Sequence, residues 1–312
     1  MPLGNVSCLC GVCTLRGVFI AMLDKKPATI DEQIKILKSR GLSILDEERA
    51  KSFLLRNNYY RISGYTLTLR HNDVFIKNAS FQDIEDIYNF DLELRHLLLK
   101  YLEIIETAVK SVYAYEVAHT YGPLGYLAAN NFSNASEYNA IMKKAEKQRN
   151  SRVAHEVHLK YLGKDWKDIP VWAFVDFLTI ADISFLYKIS ESQIKHTVAE
   201  HMNLRVQGDT LLEKFMHSMM IVRNLCAHGS RLYGCVFGQR PKLSKKESTL
   251  LMKNADGTID NARLYGFVII MKRLLRSEQF AMLKTELVAL SAKYPCVNME
   301  YYGFRDDWKV QL

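Results

Sequence analysis

The chain has 312 residues, of which 48% are hydrophobic, and this predicts a folded globular protein rather than a disordered one. Its 42 Lys and Arg residues outnumber its 34 Asp and Glu residues, so the formal net charge is +8. This excess favours a polyanionic partner, although a charge that serves only solubility explains it equally well. The sequence has no apolar run of about eighteen residues, which excludes a membrane-spanning helix.

The six cysteines are too few to form a disulfide scaffold in a chain of this length. This favours a reducing, cytoplasmic location. Cys8, Cys10 and Cys13 form a C-x-C-x-x-C pattern, but no second cluster supplies the fourth ligand of a structural zinc ion. We therefore predict no metal and no cofactor. The pattern becomes regular only after Met22, so we interpret residues 1–28 as an N-terminal extension outside the native fold.

A small N-terminal subdomain is predicted over residues 29–78. Thr29 and Glu32 have the spacing of a capping box, which starts a first helix, and a second helix follows over residues 47–57. Aromatic and β-branched residues then break the helical period over residues 59–65, which predicts an irregular or β segment. The subdomain is therefore either winged-helix-like or a plain helical hairpin.

A larger helical domain is predicted over residues 79–312. Its first helix begins at Ser80, keeps one apolar face past Val109 and ends at Gly122. The stretch over residues 241–260 has no period and is predicted to be a solvated loop. The fold class is therefore all-α, with further helices predicted over residues 135–162, 171–189, 191–202, 210–228, 263–276 and 278–292.

The helix predicted over residues 210–228 ends in the most informative motif, Arg223-Asn224-Leu225-Cys226-Ala227-His228. Gly229 suits the C′ position, so His228 lies in the last turn, where the negative end of the helix dipole favours a cation. Asn224 and His228 share a face, whereas Arg223 lies about 140° around the helix from His228. Arg223 and His228 therefore reach one phosphate only if the helix end unwinds, or if two copies of the chain form one cleft.

Histidine and arginine in such a cleft suit metal-independent cleavage of RNA. The ribose 2′-OH attacks the adjacent phosphate, His228 transfers protons and Arg223 stabilises the charged phosphorane. RNA carries its own nucleophile, so no metal, serine or cysteine is needed, and the products are a 2′,3′-cyclic phosphate and a 5′-hydroxyl. From the spacing alone, a capping or surface role explains any single pair better than catalysis does, because the spacing recurs in Arg149 with His155 and in Arg152 with His158.

The chain resembles the Abi-like (abortive infection AbiD/AbiF) family from about residue 26 onward. The resemblance lies in the order of its segments as well as in their content. The segments are Lys26-Pro27, Gln33-Ile34, Leu37-Lys38-Ser39-Arg40-Gly41-Leu42, Asn58-Tyr59-Tyr60-Arg61-Ile62-Ser63-Gly64-Tyr65, Ile87-Tyr88-Asn89-Phe90-Asp91, Leu94-Arg95, Leu102-Glu103, Ile105-Glu106, Tyr121-Gly122, Trp172, and the run from Arg223 to Tyr233.

This resemblance implies a HEPN-like helical bundle in a bacterial antiviral or toxin protein that cuts or binds RNA. Arg223, Asn224 and His228 then match the HEPN motif R-N-x-x-x-H, which type VI CRISPR effectors use in pairs. The AbiF branch is linked to a small noncoding RNA that restrains the toxin, so RNA is implied as a partner as well as a substrate.

The resemblance also implies contacts with the substrate, from Arg231 and Tyr233 after the motif, from Glu106 with Lys110, and from Tyr60 with Arg61. An ordinary ion pair explains Glu106 and Lys110 as well, and tyrosines in this pattern are more often core residues. Some family members have a tryptophan-asparagine pair after the motif, where this chain has Leu232-Tyr233-Gly234-Cys235.

The sequence therefore predicts an endoribonuclease toxin of phage defence that acts as a homodimer in the cytoplasm. The alternative is an RNA-binding protein that does not cut its ligand. A third, weaker interpretation makes the N-terminal helices a DNA-binding domain for autoregulation.

Overall fold

The computed structural model describes residues 27–149, 164–204 and 208–312. The Cys8, Cys10 and Cys13 pattern, most of the proposed N-terminal extension, and the histidines His155 and His158 lie outside the described residues. Within them the chain forms thirteen α-helices and one two-stranded sheet, which confirms the all-α prediction. None of the described helices is both long enough and apolar enough to cross a membrane.

The helices and strands have the following bounds. The α-helices are α1 (Ile30–Ser39), α2 (Glu47–Asn57), α3 (Tyr59–Ser63), α4 (Phe81–Tyr121), α5 (Ala135–Arg149), α6 (Val171–Phe174), α7 (Ile180–Ile189), α8 (Ser192–His201), α9 (Gly208–Ala227), α10 (Lys245–Ser248), α11 (Leu264–Leu274), α12 (Ser277–Lys293) and α13 (Trp308–Gln311). The strands are β1 (Arg70–His71) and β2 (Val74–Phe75), and they pair antiparallel. The 3₁₀ helices are Gly64–Thr66, Gly125–Leu127, Ala129–Asn131, Trp166–Asp168, Val175–Phe177 and Met299–Tyr302.

The N-terminal helices begin where the sequence predicts, but the segment after them is helical rather than β. Thr29 and Glu32 form the predicted capping box of α1. Asn58 has a φ of +60° and its side chain accepts a hydrogen bond from the Tyr60 N–H, so it both ends α2 and caps the short helix α3. This local cap overrides the strand preference of the aromatic residues that follow. The winged-helix assignment stays a prediction.

The long helix α4 lies at the centre of the fold and contacts α6, α7, α8, α9, α11 and α12. It begins at the predicted N-cap, since the Ser80 hydroxyl accepts a hydrogen bond from the Asp83 N–H. Its buried residues belong to one hydrophobic cluster that also includes Ile34 and Leu54 of the N-terminal helices and Leu283 of α12. The N-terminal helices therefore pack on the same core as the rest of the chain.

The prediction of one continuous helix over residues 171–189 is wrong. It is interrupted after α6 by a 3₁₀ turn, and α7 begins only at Ile180, because Thr179 and Asp182 form a capping box there. The apolar pattern continues through the break, so the period of the sequence does not reveal it. Similarly, the loop predicted over residues 241–260 contains the short helix α10, which Ser244 caps.

We predict that Thr179→Ala destabilises the protein by about 1 kcal/mol, because it removes the hydroxyl that accepts a hydrogen bond from the Asp182 N–H at the start of α7. Alanine is the better residue inside a helix, so a continuous helix would instead gain stability from the same change. Chemical denaturation of the purified protein measures the difference. Thr285→Ala, at an exposed position within α12, is the control and should be neutral or slightly stabilising.

Candidate functional site

A buried carboxylate on α4 positions the segment that follows α9. Asp91 is fully buried and forms an ion pair with Arg95, one helical turn later. Its oxygens also accept hydrogen bonds from the backbone N–H groups of Leu232, at 3.2 Å, and Tyr233, at 2.9 Å. The backbone just after the motif is therefore tied to the central helix by a charged acceptor.

Two buried tyrosines complete the surroundings of Asp91. The hydroxyls of Tyr65 and Tyr302 each donate to its carboxylate at 2.9 Å, one from the N-terminal segment and one from the C-terminal segment. Burial raises the pKa of the Asp91 carboxyl, and the charge of Arg95 and the two hydroxyl donors oppose that rise. One carboxylate thus joins distant parts of the chain beside the motif.

Two arginines link the N-terminal helices to the end of α9. Arg61 on α3 donates a hydrogen bond to the carbonyl of Gly229, and Arg231 donates one to the carbonyl of Gly64. A Cβ on Gly64 would meet the Arg231 guanidinium, which would have to shift to make room. Arg231 is partly buried and its guanidinium is engaged with the protein backbone. Tyr60, beside Arg61, is 86% exposed.

Tyr233 lies in the core rather than on a substrate-facing surface. Its side chain is fully buried, its hydroxyl shares a hydrogen bond with Thr68, and its ring stacks on Tyr301. The structure therefore gives Tyr233 a packing role in place of the substrate contact expected for it. The reason is the pair of backbone hydrogen bonds to Asp91, which draws this segment into the core.

Helix α9 ends in a Schellman arrangement around Gly229. Gly229 has a φ of +65°, its N–H donates to the Cys226 carbonyl at 3.1 Å, and the Ser230 N–H donates to the Leu225 carbonyl at 2.9 Å. This confirms Gly229 as the C′ residue and makes His228 the C-cap. The His228 side chain is exposed, and it makes no hydrogen bond with any residue that the structure describes.

Cys226, inside the same motif, is a buried thiol. Burial raises its pKa to about 12, so it stays protonated at neutral pH. A protonated, enclosed thiol is not a nucleophile. Cys226 therefore acts as an apolar core residue on the side of α9 that faces α4.

Arg223 extends into a cavity of about 850 Å³ formed by α4, α6 and α9, and Glu106 and Lys110 line the same cavity. A Glu106 carboxylate oxygen lies 2.9 Å from Lys110 Nζ, and the other lies 3.9 Å from Arg223 Nε. The Arg223 side chain is 41% exposed, and its Nη1 donates to the side-chain oxygen of Asn224 at 3.3 Å. Residues from two distant parts of the sequence thus meet at one opening, which holds two cations and a carboxylate.

His228 is not among the residues that line this cavity, although Ala227 is. The divergence of about 140° that helical spacing predicts between Arg223 and His228 fits this placement. The described part of the chain therefore has a cavity lined by Arg223 and Lys110 and, separately, an exposed histidine. No group of three or more His, Cys, Asp or Glu side chains that could hold a metal occurs among the described residues.

The sequence analysis missed Asp91 and Arg95 as positioning residues and missed the far wall of the cavity. The signal for the first was present, because a charged pair with a spacing of four sits among the apolar residues of α4, between Ile87 and Leu98. The far wall includes Tyr115, His119, Trp172 and Asp176. A spacing of four joins Tyr115 to His119 and Trp172 to Asp176, but no spacing rule joins the two pairs, because they come from separate elements.

Comparison with known proteins gives one match. The model of a family described as Abi-like protein matches residues 52–234, more than half of the chain. The matched region begins in α2 and ends just after the motif, so it includes Asp91 and all the residues that line the cavity, whereas Tyr302 lies outside it. No curated protein and no solved structure matches the chain.

We predict that Asp91→Asn destabilises the protein by about 3 kcal/mol or more, because it leaves the buried Arg95 guanidinium without a counter-charge. The amide also places a donor against groups that are themselves donors. Urea unfolding measures the loss. Glu48→Gln, at an exposed position on α2, is the control and should stay within about 0.5 kcal/mol of wild type. Equal stability of Asp91→Asn and wild type would contradict the proposed role of this carboxylate.

Proposed function

The chain belongs to the Abi-like protein family, and we propose that it acts in abortive infection as a metal-independent endoribonuclease of the HEPN type. One observation carries this proposal. Arg223, Lys110 and Glu106 meet in a single cavity at the end of the helix whose C-cap is the exposed His228. The net charge of +8 adds a general attraction for RNA.

In the proposed reaction the ribose 2′-OH attacks the adjacent phosphorus and the bond to the 5′-oxygen of the next nucleotide breaks. Arg223 and Lys110 hold the phosphate oxygens and stabilise the negative charge of the phosphorane. A histidine accepts the proton of the 2′-OH, and a protonated histidine gives a proton to the leaving oxygen. Asn224 and Glu106 orient the Arg223 guanidinium through their contacts with it.

The separation of Arg223 from His228 favours a site built from two copies of the chain. Within one copy the two side chains leave α9 in different directions, and only Arg223 enters the cavity. A two-fold arrangement of helix ends would place His228 of each copy at the Arg223 cavity of the other. Each of the two sites then combines Arg223 of one copy with His228 of the other, and that histidine accepts the proton of the 2′-OH and gives a proton to the leaving oxygen.

The alternative is an RNA-binding protein that does not cut, with a small noncoding RNA as its partner. The observation that favours it is the same separation of His228 from the cavity, because Arg223 without His228 beside it can bind phosphate but lacks the histidine that the cleavage needs. On this alternative, Arg223 and the exposed residues Tyr60 and Arg61 hold RNA, and His228 is only a C-cap.

We predict that wild-type protein cuts single-stranded RNA in the presence of EDTA and that His228→Ala lowers the rate by at least about 100-fold, since general acid–base catalysis contributes that much or more. The products are resolved by electrophoresis and tested for a 2′,3′-cyclic phosphate. His217→Ala is the matched control, because His217 is also exposed on α9 but lies about 16 Å before His228 along the helix. Binding without cleavage by all three proteins would favour the alternative.

A mixing experiment tests whether the site is shared between two copies. Arg223→Ala and His228→Ala are each expected to be inactive, and a dimer that contains one of each keeps one complete site if Arg223 and His228 act across the interface. Mixing equal amounts under conditions of subunit exchange should then restore about a quarter of the wild-type rate, because about half of the dimers are mixed and each has one site. No restoration, with exchange verified by mass spectrometry, would place both residues in one copy.

A further inference from the structure

The wall of the cavity away from Arg223 carries aromatic side chains that the cleavage chemistry does not use. Trp172 on α6 and Tyr115 on α4 line the cavity and are 57% and 55% exposed. His119 lines it as well, and its ring lies 3.9 Å from the ring of Tyr115, centroid to centroid. Large aromatic groups that stay exposed inside a concave site provide flat surfaces for a ligand.

This wall is separated from Arg223 along the length of α4. Glu106 marks the Arg223 end, and Tyr115 and His119 follow nine and thirteen residues later, which corresponds to about 14 and 20 Å along the helix. The start of α6 lies at the same far end, because the Val171 N–H donates to the Pro123 carbonyl at 2.8 Å. The two cations, together with the carboxylates of Glu103 and Glu106, therefore lie at one end of the cavity and the aromatic side chains at the other.

The aromatic surface is held in place before any ligand arrives. The Nδ1 atom of His119 lies 2.8 Å from the Tyr115 carbonyl oxygen, and because a carbonyl only accepts, this nitrogen carries a proton. The Tyr115 ring also makes an edge contact with His201, whose Nε2 lies 3.1 Å from a carboxylate oxygen of Glu116. These contacts restrain Tyr115 and His119, so little rotamer entropy is lost when a ligand stacks there.

The charges of the cavity favour a base rather than a phosphate at the aromatic end. Lys110 and Arg223 are the lysine and arginine among its lining residues, and both lie at the Glu106 end. The segment that carries Trp172 contributes instead a carboxylate, Asp176. A carboxylate repels phosphate and accepts hydrogen bonds from the exocyclic amino groups of adenine, cytosine or guanine.

We propose that Trp172, Tyr115 and His119 form a nucleobase-binding subsite, in which an unpaired base stacks while its ribose-phosphate chain leads to Arg223. The inference rests on the proposed function for the identity of the ligand as RNA. Asp176 makes the subsite prefer bases with an amino group over uracil. A span of about 20 Å corresponds to roughly six nucleotides of a stacked strand at about 3.4 Å each, so the subsite reads a base several nucleotides from the cleaved bond.

The test measures binding separately from cleavage. Full-length protein is titrated with fluorescently labelled 2′-O-methyl oligoadenylate, which cannot be cut because its 2′-oxygen is blocked. Trp172→Ala should weaken binding about 5- to 100-fold, the usual value of one stacked base, whereas Trp172→Phe keeps a ring and should stay within about 3-fold of wild type. Phe185→Ala, an exposed aromatic residue outside the cavity, is the matched control.

Two further measurements test whether the base is the part of the oligonucleotide that this subsite binds. Of the three tryptophans, Trp172 is 57% exposed and lines the cavity, Trp308 is 3% exposed, and Trp166 is half-buried and is not among the cavity-lining residues, so oligoadenylate should quench the fluorescence of wild type and leave Trp172→Phe nearly unquenched. Oligouridylate should bind wild type more weakly than oligoadenylate, and Asp176→Asn should reduce that difference.

The outcomes separate this inference from the proposed function. If wild type cuts unmodified RNA but binds the blocked oligonucleotide no more tightly than Trp172→Ala does, the proposed subsite is wrong and the proposed nuclease activity stands. Quenching and a Trp172-dependent affinity in a protein that cuts no RNA support the subsite and overturn the nuclease. Failure of wild type to bind any of the oligonucleotides overturns both.

Discussion

The ion pair of Asp91 and Arg95 is the interaction on which the candidate site depends. A buried carboxylate costs free energy unless donors surround it, and here the donors come from α4 itself, from the segment after α9 and from the N- and C-terminal parts of the chain. Each donor is therefore held at a defined place relative to α4. The end of α9, with Arg223 and His228, takes its position from these contacts.

The N-terminal helices also contact the backbone at the end of α9. Arg61 binds the carbonyl of Gly229, the residue after His228, and Arg231 binds the carbonyl of Gly64. These reciprocal contacts mean that a displacement of α3 would move the backbone that carries His228. The N-terminal segment is thus a candidate route by which a bound RNA or protein alters the site, and it needs no contact with the cavity to do so.

The sequence predicts the local structure well and the composition of the site only in part. Thr29, Ser80 and Gly229 act through neighbours three to five residues away, and their capping roles are visible in one dimension. Asn58 overrides its aromatic neighbours through a positive φ, which no period reveals. Arg223 meets Glu106 across more than a hundred residues, and Trp172 meets Tyr115 across more than fifty. Tyr233 is a case in which the sequence misleads. Its position after the motif suggests a surface role, but its backbone N–H bonds to Asp91 and its side chain is buried.

The distances around Glu106 show which of the two cations is held more loosely and is more readily available to an anionic ligand. Lys110 lies 2.9 Å from this carboxylate, a tight ion pair that neutralises it, whereas Arg223 lies 3.9 Å away, at the outer limit of such a pair. Most of the N–H donors of Arg223 are therefore available to another acceptor. A turn of the guanidinium toward a phosphate would break only weak contacts. Glu106 orients the guanidinium without occupying it. Glu106, Lys110 and Arg223 together carry a net charge of about +1. In the proposed dimer, cations from the second copy would add to this charge and raise the affinity for RNA.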